Sequence, residues 1–250
     1  MASNPLLDPD ARLVIAHRGN RVAAPENTIP ALRQALDMGV DALEFDVRMT
    51  RDDVAVVIHD ATVDRTTNGA GRVDAYDLAS LRALDAGARC VGAARTHIPT
   101  LEEVFDAFRD TPLVIEIKEL AALDATLALI RRFGVEHRVV VGSAENAVME
   151  RLYRSGLPCC ASMADAMAWL PLALLGRRPP RPPFHVLSIT PFWRGLPIPV
   201  VRLARAGRAH SVPTHVWTVN DPTRALRYWN SGIAGILTDD PARMLAARER

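Results

Sequence analysis

Short β-rich runs alternate with longer helical ones along almost the whole 250-residue chain, and that alternation restricts the fold more than any other feature. Parallel strands need long crossovers, and crossover helices cover the faces of the sheet they join. Eight cycles can be read. Strands are expected at residues 13–16, 41–49, 113–118, 138–142, 158–161, 184–189, 213–219 and 235–238, each followed by a helical segment. The first helix has Thr28 as N-cap and Pro30 in its first turn and stops at Gly39. Eight strand and helix units in this length predict an α/β fold, a (β/α)8 TIM barrel, as one domain spanning 1–250. The rhythm breaks once, after the second strand. A β-like run at 54–59 and an irregular stretch to residue 95, with a short helix at 78–84, make a small insertion at about 60–96, longer than an ordinary βα loop.

Composition excludes several alternatives. With 49% hydrophobic and 24% charged residues the chain is not a disordered or low-complexity one. A net charge of +1 argues against nucleic acid as a partner. Three cysteines without C-x-x-C spacing suggest neither a disulfide framework nor a zinc knuckle, and a reducing, cytoplasmic location fits them. No signal-like start and no apolar run of spanning length are seen, so no transmembrane segment is expected; homo-oligomer formation is left open. The basic residues are lopsided: 29 are arginine and one, Lys118, is lysine.

Strand parity then locates the chemistry. In 41–49, Leu43, Phe45 and Val47 share one side, and Glu44, Asp46 and Arg48 the other; in 113–118, Glu116 and Lys118 lie opposite Leu113, Ile115 and Ile117. In a barrel the bulky set packs under the helices, so the charged set points into the lumen. Buried carboxylates without counter-charges are costly, which places these at the mouth, where barrel active sites are built. Glu44, Asp46 and Glu116 form an all-oxygen donor set suited to one divalent cation, Mg²⁺ or Ca²⁺. A metal bordered by lysine and arginine suits an anionic oxygen substrate such as phosphate.

The ordered motifs His17-Arg18-Gly19, Pro25-Glu26-Asn27-Thr28, Glu44-x-Asp46, His59-Asp60, Asp64-Arg65-Thr66-Thr67-Asn68-Gly69, Glu116-x-Lys118, Trp217-Thr218-Val219-Asn220 and Thr238-Asp239-x-Pro241 resemble the glycerophosphodiester phosphodiesterase family over nearly the whole chain. The resemblance implies a metal-dependent barrel that hydrolyses small-molecule glycerophosphodiesters to sn-glycerol 3-phosphate and an alcohol. It implies His17 and His59 as general acid and base, and Glu44, Asp46 and Glu116 as metal ligands. Arg18 and Lys118 would hold the phosphate, Glu26 and Asn27 would position the first histidine and the metal shell, and Trp217 would line the substrate end. Residues 64–68 read as a loop brace, and His215 as a packing histidine able to reach the pocket. The chain departs from the family pattern at Ser143-Ala144, where an aromatic is expected after the serine; this widens the head-group pocket. Two other functions compete. A lysophospholipase D would need an apolar track, for which Ala168-Trp169-Leu170 and Phe192-Trp193 are candidates; a non-catalytic phosphate-ester-binding barrel would not need the two histidines.

Overall fold

The computed structural model describes residues 4–249. Seven strands run parallel as neighbours in the order β5 (Val139–Gly142), β4 (Leu113–Ile117), β2 (Ala42–Met49), β1 (Leu13–His17), β10 (Gly235–Thr238), β9 (Thr214–Val216) and β6 (Leu187–Ile189). The eighth position is held by two residues only. Cys159 bridges Val141 and Cys160 bridges Val186, both in parallel, and these bridges join the two edges into a closed barrel. The expected strand at 158–161 is thus a two-residue contact. Cys160 N donates to the Val141 carbonyl and Ala161 N to that of Val186, so little more than one residue on each side is paired.

Helices α1 (Ile29–Asp37), α3 (Leu101–Ala107), α4 (Leu123–Phe133), α5 (Asn146–Leu152), α6 (Met163–Leu174), α7 (Val200–Arg208), α8 (Pro222–Asn230) and α9 (Pro241–Arg248) follow the barrel strands. Their starts are where the capping chemistry puts them. Thr28 accepts from the Ala31 amide, and Thr100 and Glu103 form a reciprocal capping box. Asp221 and Asp240 cap helices that begin on proline. The segment after β2 adds an antiparallel strand, β3 (Ala55–Val57), and the short α2 (Leu78–Arg82). Rather than a loose lid, it is packed on its own small core of Val56, Ile58, Val63, Val73, Leu81, Ala86 and Ile98. Between β6 and α7, where no hairpin is legible from the residues alone, β7 (Phe192–Trp193) pairs with β8 (Leu196–Pro197). Arg194 and Gly195 at its turn both have positive φ, 49° and 80°, the backbone a two-residue hairpin requires.

Parity is as the alternation requires. Leu43, Phe45 and Val47 pack with Leu32, Leu101 and Phe105 in the large core between sheet and helices. The lower lumen is filled by Leu13, Ile15, Val114, Val140, Cys160, Val186 and Leu237, and plugged by Leu6. His215 also lies in this interior, 1% exposed, with its ring against Gly235, where a Cβ would come within 2.6 Å of it. It does not line the cavity that opens at the C-terminal ends of the strands. Burial pushes its pKa down to about 4. Because the folded value lies below that of an exposed histidine, the unfolded chain binds the extra proton, and stability falls as pH drops from about 6.5 towards 4. His215→Gln is expected to remove about 2 to 3 kcal/mol of that pH-dependent loss. Urea unfolding of both proteins at pH 7 and pH 4.5 measures it; parallel pH dependences would contradict the buried neutral imidazole.

Candidate active site

The strand register assembles the site. His17 is paired with Glu44 across β1 and β2, and Asp46 with Glu116 across β2 and β4, so four polar groups from three strands gather near the strand C-termini. Gly142 is paired with Glu116 in the next strand, and its lack of a side chain leaves the lumen open there. Above lies a cavity of about 500 Å³ whose wall includes His17, Arg18, Glu44, His59, Glu116, Lys118 and Trp217.

Each cavity histidine is held by a carboxylate on the same ring atom. His17 Nδ1 lies 2.8 Å from Asp239 Oδ1, and His59 Nδ1 lies 2.6 Å from Asp60 Oδ1. A carboxylate can only accept there, so Nδ1 carries hydrogen in both rings and Nε2 is left to exchange a proton with whatever occupies the cavity. Both carboxylates are held below their usual range. For Asp60 the main cause is the hydrogen bond from Arg65, followed by that from His59. For Asp239, burial works the other way but is outweighed by His17 and Asn220. Each therefore stays ionised beside its imidazole.

Glu44, Asp46 and Glu116 each bring an oxygen within 4.8 Å of the others. Glu44 is 3% exposed and Asp46 fully buried. Burial, reinforced by Asp46 and Glu116, holds the Glu44 carboxyl well above the usual carboxylate range, a cost that a divalent cation removes. One oxygen of the triad, Asp46 Oδ1, is buried and makes no hydrogen bond; Lys118 Nζ stands 3.3 Å from it and 2.9 Å from Glu116 Oε1. Hard oxygen donors, with one carboxylate oxygen left over, fit an ion such as Mg²⁺ or Ca²⁺.

Asn27 and Glu26 separate in their tasks. Asn27 Nδ2 donates to Asp46 Oδ2 at 2.8 Å, which fixes the triad's deepest member. Glu26 touches neither His17 nor the triad. It grips Arg18 at 3.0 Å, Arg21 at 3.0 Å and Arg65 at 2.7 Å. Burial of Glu26 opposes its ionisation, but these three guanidinium groups hold its pKa down to about 2. Arg18 also lies 3.1 Å from Asp46 through Nε, which aims it across the mouth of the carboxylate cluster.

These elements carry a recognisable sequence as well as a geometry. The profile of the glycerophosphoryl diester phosphodiesterase family matches residues 17–243, from the first cavity histidine to the last helix. The chain belongs to this family. A glycerophosphodiester phosphodiesterase from Caldanaerobacter subterraneus subsp. tengcongensis is 33% identical, with 93% of this chain and 96% of that one covered. A lysophospholipase D from Rattus norvegicus is 28% identical over 92% of this chain and 84% of its own. Among solved structures, a glycerophosphodiester phosphodiesterase from Agrobacterium tumefaciens superposes with a TM-score of 0.78 at 26% identity, covering 94% of this chain and 99% of that one.

For this family member, the sequence reading missed the two carboxylates behind the histidines. Asp60 and Asp239 stood in the quoted motifs, but nothing in a linear chain says that residue 239 returns to residue 17. The β1 and β10 pairing does, since Ala16 is matched with Thr238. Arg65, read as part of a loop brace, is more than that: it joins Asp60 at 2.5 Å to Glu26, tying the second histidine's support to that of Arg18. Ala144 lines the cavity without an aromatic wall. Of the candidate apolar track, Leu170 and Trp193 reach the cavity, whereas Trp169 is packed inward against Phe184, with ring centroids 4.9 Å apart.

Proposed function

We propose that this single catalytic domain of 250 residues hydrolyses glycerophosphodiesters to sn-glycerol 3-phosphate and an alcohol in a reducing, cytoplasmic setting. The observation that carries this reading is the pair of Asp-supported histidines facing one cavity with an oxygen triad between them. In the proposed reaction, one imidazole takes the proton of the attacking oxygen at Nε2 and the other gives a proton to the leaving alcohol oxygen as its P–O bond breaks; the oxygen gained comes from water, which either attacks phosphorus directly or opens a cyclic phosphate first formed by the substrate's neighbouring hydroxyl. Asp239 and Asp60 hold each ring in the orientation and tautomer that this exchange requires. Arg18 and Lys118 face the non-bridging phosphate oxygens and offset their charge as it grows. Trp217, 38% exposed at the rim, lines the end where the substrate enters. A divalent ion held by Glu44, Asp46 and Glu116, when bound, adds Lewis-acid stabilisation of the phosphoryl group.

A panel of glycerophosphocholine, glycerophosphoethanolamine and related diesters, with EDTA and then Mg²⁺ or Ca²⁺ added back, tests this by release of glycerol 3-phosphate. Turnover lost to EDTA and restored by one ion is expected; no turnover of any diester with any ion would overturn the enzyme reading. Within the same assay, Lys118→Arg is expected to lose at least about tenfold in kcat while melting like the parent. A planar guanidinium is too broad for the space between Asp46 and Glu116 that a compact ammonium fills. Full activity of that variant would leave the lone lysine without a catalytic meaning.

A second reading has one observation of its own. The wall of the cavity away from the carboxylates is apolar, with Ala161, Met163, Ala166, Met167, Leu170 and Ile198, which suits a leaving group carrying an acyl chain. Relative rates on a deacylated diester and its lysolipid, both below the micelle concentration, separate the two.

A further inference from the structure

Helix α6 breaks the usual rule for a surface helix. Its twelve residues contain one charged side chain, Asp165, and that carboxylate is used internally, in a capping box with Ser162 and a hydrogen bond from Tyr153. The residues it exposes are Met163, Ala164, Met167, Ala168, Pro171 and Leu174. A helix with a solvated face normally puts polar groups there; this one has none. Beside its first turn stands the β7–β8 hairpin, whose Trp193 shares the cavity wall with Met163 and Met167. Phe192 is 48% exposed and Leu196 66%. The apolar side of the cavity therefore continues over its rim onto the protein surface.

Charge decides what covers this surface. Arg194 stacks on Trp193 at 4.8 Å and Arg224 on Phe192 at 5.5 Å. Among the described residues neither of these two arginines is in an ion pair with a carboxylate, whereas Arg18, Arg21, Arg48 and Arg65 around the catalytic groups all are. Exposed aromatic and aliphatic side chains bordered by free guanidinium groups match the two layers of an anionic lipid surface, acyl chains below and phosphates above. A second copy of the chain would have to bring these like charges together.

We propose that the outer face of α6 and the β7–β8 hairpin form a docking surface for an anionic phospholipid bilayer, which sets the cavity mouth at the membrane boundary. Lipid binding itself does not depend on the phosphodiesterase reading; only the consequence, direct transfer of a membrane-resident phosphodiester into the cavity, rests on it. Phe192 and Leu196 do not line the cavity, so they can be changed without touching the catalytic groups.

The experiment is sedimentation of the full chain with vesicles of phosphatidylglycerol and phosphatidylcholine, and with phosphatidylcholine alone. Each sample is also assayed for turnover of soluble glycerophosphocholine. Binding to the anionic vesicles is expected, with a blue shift of tryptophan emission from Trp193, and it should weaken at least about tenfold in Phe192→Ser/Leu196→Ser and in Arg194→Glu/Arg224→Glu. Circular dichroism of both variants should match the parent. No binding to anionic vesicles, or equal binding by parent and folded variants, would overturn the proposal. So would a dimer in light scattering that the hairpin variant dissolves, because a second copy would then be the occupant. Loss of glycerophosphocholine turnover in the parent would count against the proposed function and leave the vesicle result standing.

Discussion

His17→Ala is expected to lower kcat on a glycerophosphodiester by roughly 10² to 10⁴, the range seen when a positioned general acid or base is removed, with little change in thermal stability. His17 is the last residue of β1, and its ring hangs in the cavity from a strand whose backbone is otherwise fully paired. Truncation leaves the strand and the lower lumen untouched. It does leave Asp239 without its imidazole, but Arg21 at 3.2 Å and Asn220 at 2.9 Å still satisfy that carboxylate. The loss should therefore appear in catalysis and not in folding. His59→Ala should fall by a similar factor, and the double variant by much less than the product, because two groups that exchange protons in one reaction act as a unit. Steady-state rates of the three variants at saturating ion decide the matter. A single variant within tenfold of the parent would remove that histidine from the acid and base pair.

Gly19→Ala should cost about 3 kcal/mol or more and lower Tm by around 10 °C, with activity lost as well. Gly19 has φ +85°, and a Cβ there would stand 2.5 Å from the Ala31 carbonyl carbon and 2.7 Å from the Leu32 nitrogen. Those are backbone atoms of α1, which cannot turn aside as a side chain could. The preceding residue, Arg18, is itself in the left-handed region at φ 62°, and its amide donates to both the backbone carbonyl and a carboxylate oxygen of Glu44. Relief of the clash would thus pull the Arg18 backbone off Glu44 and move the neighbouring His17. Differential scanning calorimetry measures the effect; a variant that melts with the parent would show that the turn between β1 and α1 has slack.

Much of this was legible from the chain alone because the relevant signals are local. The period of two in β2 and β4 separates Phe45 from Glu44 and Ile117 from Glu116 whatever the rest of the molecule does. Caps at Thr28 and Thr100, and prolines at 222 and 241, act within a single turn of helix. The insertion could be bounded but not characterised. Its small core joins Val56 to Ile98, and each of its apolar residues means little without partners distant in sequence. The hairpin at 192–197 was missed because Arg-Gly is a weaker turn signal than Asn-Gly or Asp-Gly, and four paired residues carry no visible alternation.

Sequence by itself determined the barrel, the lumen-facing carboxylates and the histidines, since periodicity and residue chemistry survive in one dimension. Only the tertiary structure decided that Asp239 and Asp60 support the two imidazoles, that Glu26 grips arginines and leaves His17 alone, and that the apolar cavity wall runs out onto α6. The physical reason is common to all three. Hydrogen bonds and buried surfaces depend on distance in space, and closing a barrel brings residue 239 to 2.8 Å from residue 17 by a path that no spacing along the chain records.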